Sequence, residues 1–212
     1  MGWQNDLKLS SRAFLNHVWP SVGPSLGIGG NLLPVESVTD SEMARALDQL
    51  AGIDAWHVLG DTGIRGIAAR VQKAPAYASF TIRKERSNGA ETEWAKRLRA
   101  ITQTESGWLF PSITIHAYVD DFDNGPLIYA CIARTKDIFA FADDEYINDA
   151  WEPRVNRGDG NSFAVFWVDW LKANGVIVKQ FGDINQARGP RRQRIARGAY
   201  SSSTETRTRQ RG

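Results

Sequence analysis

The sequence predicts one α/β domain built on a central mixed β-sheet flanked by helices. Three observations carry this. Apolar residues recur at helical spacing in residues 10–19, 39–50 and 91–101. Short runs rich in β-branched and aromatic residues lie between and after them. The order of these runs mixes local hairpins with helices, which suits a mixed sheet. A chain of 212 residues is long enough for one sizeable domain with extensions.

The elements follow in order. "SSRAFLNHVW" reads as a helix capped by Ser10 or Ser11, with Ala13, Phe14 and Val18 on one face and Pro20 ending it. "PSVGPSLGIGGNLLP" reads as a Gly/Pro-rich loop. Its "GIGG" is no phosphate cradle, because no strand precedes it and no Gly-Lys-Ser/Thr follows. Residues 1–35 are therefore expected as an N-terminal helix and loop ahead of an α/β domain at 36–187.

That domain opens on a capping box, Thr39 to Glu42, with Met43, Leu47 and Leu50 at helical spacing. Three strand-like runs come next, "IDAWHVL", "GIAARVQ" and "YASFTIR". "ETEWAKRLRAI" is a second helix with Trp94, Leu98 and Ile101 on one face. "SITIHAYV" and "PLIYACIAR" are further strands joined by an acidic turn at Asp120, Asp121 and Asp123. "NSFAVFWVDWLKANG" suits a strand or a helix, and "VIVKQF" a last short strand.

The net charge of +2 conceals an asymmetry. From Arg188 onward there are eight Arg, no Lys and one acid, Glu205, so this segment carries +7 and residues 1–187 carry 2 − 7 = −5. Residues 188–212 are poor in apolar side chains and are expected to be disordered when free. Their arginines, Arg191, Arg192, Arg194 and Arg197 among them, are of the type that neutralises phosphates, which points to DNA or RNA as partner.

Several classes are disfavoured. No apolar run approaches the ~20 residues that span a bilayer. No secretory h-region is evident, and Cys131 is the only cysteine, which fits a reducing cytoplasm. His17, His57 and His116 are not spaced as a zinc cluster, and no G-x-S-x-G marks a nucleophile.

The stretch "GIDAWHVLGDTGIRGIAARVQ" raises the functional question. The order helix, three strands, helix, strand around it resembles the core of the PD-(D/E)XK nuclease superfamily. The resemblance spans roughly residues 36–120 and implies a restriction-endonuclease-like core acting on nucleic acid. It implies that Asp54 is a Mg²⁺ ligand, with Asp48 or Glu36 adding oxygen, since Mg²⁺ takes hard oxygen ligands. The family's acid-x-Lys triplet matches Ala68-Ala69-Arg70 or Arg70-Val71-Gln72, and neither supplies the acid. Arg70 and Gln72 would then position phosphate or water, and Lys96 would stand in for the missing Lys.

A second reading uses the same residues without chemistry. Thr81 and Arg83 alternate with Phe80 and Ile82, so a face shared with Arg70 and Gln72 would be a polar, phosphate-binding sheet surface. The two expectations are a Mg²⁺-dependent phosphodiesterase and a non-catalytic module binding nucleic acid or protein.

Overall fold

The computed structural model describes residues 9–27, 30–35, 52–59, 63–74, 78–102, 110–143 and 151–187. The expected helix at 39–50, with Asp48 and Glu36, and the arginine-rich tail, with Arg191, Arg192, Arg194 and Arg197, lie outside the described residues.

Helical segment α1 covers residues 9–22. Pro20 does not end it. The helix widens to a π-turn over Phe14–Val18, closed by the Trp19 N–H on the Phe14 carbonyl, and resumes over Trp19–Val22. Pro20, which has no N–H to give, follows directly on this π-turn. A 3₁₀ turn, Gly23–Ser25, follows. The expected loop then contains a strand, β1 (Asn31–Pro34).

The remaining strands are β2 (Ala55–Val58), β3 (Ile64–Lys73), β4 (Ser79–Glu85), β5 (Pro111–Val119), β6 (Leu127–Arg134), β7 (Glu152–Val155), β8 (Ser162–Trp167) and β9 (Ile177–Gly182). The helices are α2 (Glu93–Thr102), α3 (Thr135–Asp143), α4 (Val168–Ala173) and α5 (Ile184–Ala187). "NSFAVFWVDWLKANG" is both of its alternatives in succession, β8 and then α4. Among the described residues no helix is long and apolar enough to cross a membrane.

The main sheet is mixed and six-stranded, in the order β1-β2-β3-β5-β6-β9. The β3/β5 pair is parallel and the others are antiparallel. The third strand-like run does not join it. As β4 it pairs with β8 in a separate three-stranded sheet, β4-β8-β7. The two edges of β3 are taken by β2 and β5. β6 is a nearly continuous apolar run, and β5 is buried along most of its length although Ser112, Thr114 and His116 alternate with its apolar residues. β4 has one apolar face, Phe80 and Ile82, suited to an outer layer.

Three layers result. On one face of the main sheet, Ile67, Val71, Ile115, Ala117 and Ile132 pack against Phe14, Val18 and Val22 of α1 and its turn. On the other, Tyr118, Tyr129 and Cys131 meet Phe80, Ile82 and Phe166 of the small sheet. α1 therefore contributes to the core of the main sheet, and β1 pairs with β2. The acidic segment is a turn, and Asp121 receives Lys73 Nζ while Asp123 pairs with Arg12.

Two glycines place the site. Gly66 lies where β3 shifts register, and a Cβ there would stand 2.8 Å from the Phe110 carbonyl oxygen. Gly52 has φ +63°, a left-handed turn that an L side chain rarely adopts, and it sits against Lys96 and Arg97 of α2.

A candidate anion-binding cleft

The period of two along β3 sends Ile67, Ala69 and Val71 toward α1, and Ala68, Arg70 and Gln72 toward the small sheet. Arg70 therefore emerges between the two sheets. On the small sheet Arg83 and Phe163 are cross-strand partners. The Arg70 and Arg83 guanidiniums stand 5.7 and 5.6 Å from the centre of the Phe163 ring. The two arginines expected to share one sheet face thus come together from two different sheets.

Helix α2 closes the third side. Glu93 lies in its first turn and receives Arg83 Nη1 at 3.3 Å, with Arg86 Nη2 at 3.6 Å. One helical turn on, Arg97 is 7% exposed and reaches Asp54 at 3.9 Å. The space between is a cleft of about 280 Å³, its mouth included. Arg70, Thr81, Arg83, Glu93, Arg97 and Thr114 give it its polar lining, over Phe80 and Ile82.

Donors outnumber acceptors here. The Nε groups of Arg70, Arg83, Arg86 and Arg97 and the Thr81 hydroxyl are buried without a partner. Against them stands one unpaired acceptor oxygen, Glu93 Oε2. Buried polar groups are almost always hydrogen-bonded, so a surplus of cationic donors marks a place for an added acceptor.

The electrostatics agree. Burial raises the pKa of the Glu93 carboxyl, but Arg83, its own backbone N–H, Arg97 and Arg86 together hold it below the ordinary value. Burial lowers the Arg70 pKa, Glu93 works against that, and Arg83 and Arg97 add to it. Beside Arg70 across the parallel pair is His116, fully buried against Phe80 and Tyr118. Burial, and then the Arg70 charge, push its pKa down to about 3, so the imidazole is neutral.

The other sequence-derived residues are placed as follows. Asp54 immediately precedes β2, beside β3, and its Oδ2 accepts the Ala69 backbone N–H at 2.7 Å. Its carboxylate thus supplies the acceptor for β3 where the β2/β3 ladder runs out. Gln72 follows Arg70 on the same face as the register partner of Tyr118, and is not among the residues lining the cleft. Lys96 is half-buried on α2 near Gly52, also outside the lining.

Among the described residues the Asp54 carboxylate meets a backbone N–H and a guanidinium, and no group of three His, Cys, Asp or Glu side chains comes together. Arg97, Arg86 and Phe163 were not singled out as site residues from the sequence, whereas Thr81 was placed on the polar face with Arg83. The spacing of four between Glu93 and Arg97 is the signal that places both on one face of α2.

No protein-family model, curated protein or solved structure matches this chain.

Proposed function

We propose that this protein is a nucleic-acid-binding module that grips phosphate through the Arg70/Arg83/Arg97 cleft. The observation that carries the reading is the surplus of buried, unpartnered guanidinium donors around one carboxylate. Guanidinium forks match phosphate oxygens, and desolvation strengthens such charge-assisted bonds. The Phe163 ring flanked by two guanidiniums adds an apolar surface beside the cationic one. The arginine-rich residues 188–212 support the same class of partner by composition.

The nuclease reading keeps one specific support. Asp54 precedes β2 and accepts the Ala69 N–H of β3, so it lies beside the strand that carries Arg70. Its second and third carboxylates would have to come from Asp48 and Glu36.

One assay separates the two. The full chain is titrated with single- and double-stranded oligonucleotides in EDTA, and incubated in parallel with Mg²⁺ or Mn²⁺. Binding in EDTA without cleavage is the expected result. Cleavage lost in Asp54→Asn would instead establish the enzyme. Neither binding nor cleavage would overturn both.

A further inference from the structure

We infer that the cleft receives the terminal phosphate of a nucleic-acid strand, a phosphomonoester, rather than the phosphodiesters along its backbone. This rests on the nucleic-acid reading above. Three observations carry it beyond that reading.

The first is shape. The cleft is walled by β3 and β5 of the main sheet, by β4 of the small sheet and by α2. Its deep wall is Phe80, Ile82 and Thr114, at 2%, 2% and 3% exposure. A strand passing through needs a groove open at both ends, whereas a walled recess suits an end group.

The second is size. The enclosed part of the cleft is about 20 Å³, room for about one water, so a ligand seats at most one compact group at its mouth. It suits a single charged group with the rest of the ligand outside.

The third is charge. Its lining holds three guanidiniums and one carboxylate, a formal surplus of +2. A phosphodiester carries one negative charge, and a phosphomonoester carries about −1.5 to −2 near neutral pH. A monoester also presents three terminal oxygens as acceptors, against the unpartnered Nε groups and the Thr81 hydroxyl. The monoester therefore matches the charge more closely and offers one more terminal acceptor oxygen than a diester.

The test compares ligands on the unaltered full chain, so that it does not depend on a variant folding. Single-stranded oligonucleotides of one sequence are prepared with a 5′-phosphate, with a 3′-phosphate, with hydroxyls at both ends, and circularised. Affinities are read by anisotropy in EDTA, and inorganic phosphate is added as competitor. One of the end-phosphorylated forms is expected to bind at least tenfold tighter than the hydroxyl-ended and circular forms. Inorganic phosphate should compete only at far higher concentration. In Thr81→Val and Arg83→Gln, checked for native melting, that tenfold advantage should shrink while residual binding to the circle persists.

Equal affinity for all four forms would overturn the end-group inference and leave the backbone-binding reading standing. Failure of every oligonucleotide to bind would overturn both. Inorganic phosphate competing at the oligonucleotide's own concentration would assign the cleft to a free phosphorylated molecule and overturn the inference for nucleic-acid ends.

Discussion

The Asp54 carboxylate is hydrogen-bonded to the backbone of Ala69, whose N–H donates to Oδ2 at 2.7 Å. The acid that the sequence offers as a metal ligand thus completes the strand ladder between β2 and β3. Asp54→Ala should destabilise the fold by about 0.5–1.5 kcal/mol, the ordinary net worth of such a bond at a half-exposed site. Asp54→Asn keeps an acceptor oxygen and should cost less. Its affinity for nucleic acid in EDTA should stay within about threefold of wild type, since Asp54 is outside the cleft lining and meets Arg97 only at 3.9 Å. Denaturant melts and anisotropy check both, and a collapse of binding in EDTA would place Asp54 at the ligand instead.

Arg70 carries a different expectation. Arg70→Gln retains polarity and removes the charge between the sheets. Affinity for oligonucleotides should fall at least tenfold, and the slope of log affinity against log salt should flatten by about 0.7–0.9 for the lost phosphate contact. Stability should hold or rise, because Arg70 makes no ion pair among the described residues and loses hydration on burial. Unchanged affinity with an unchanged salt slope would remove Arg70 from the site.

His116 links the core to pH. Its pKa is about 3 in the fold, against 6.5 for the free side chain. Below 6.5 the unfolded chain takes up a proton that the folded chain refuses. The stability contribution is therefore complete above pH 6.5 and is lost as pH falls toward 3. Over that window the slope from one such group is ~1.4 kcal/mol per pH unit. His57, also lowered by burial and then by Arg65, acts in the same direction. His116→Phe should flatten the acid limb of the stability profile, and an unaltered acid limb would contradict the buried neutral imidazole.

Tyr118 joins the two sheets. From β5 its hydroxyl donates to the Ser79 carbonyl on β4 and accepts the Ser79 N–H at 3.1 Å. Both groups are buried, so Tyr118→Phe should leave them unpaired and cost about 1–3 kcal/mol. Equilibrium unfolding measures this, and a loss below about 0.5 kcal/mol would mean that other partners satisfy Ser79.

How far the sequence foretold this molecule depends on the range of the interaction. The hairpin of β2 and β3 was legible, because alternation and the intervening glycines are local. The convergence of Arg70 with Arg83 was legible for the same reason, since period two assigns each a face. Which sheet β4 would join was not, because an amphipathic strand declares its apolar face and not its neighbour. Phe163 was hidden likewise, as it meets Arg70 only through the packing of one sheet on the other. Arg97 was hidden by a plausible local role, a charged residue on an exposed-looking helix, which becomes buried only when α2 settles against Gly52.

The most direct measurement follows the guanidinium Nε–H resonances of Arg70, Arg83 and Arg97 by ¹⁵N NMR during titration with an end-phosphorylated oligonucleotide. These donors are buried and without an acceptor. They should shift together and saturably, at the concentration where anisotropy reports binding, and move toward the positions typical of phosphate-bound arginine. Resonances that stay in place while the oligonucleotide binds would put the partner elsewhere on the molecule and contradict the cleft as its site.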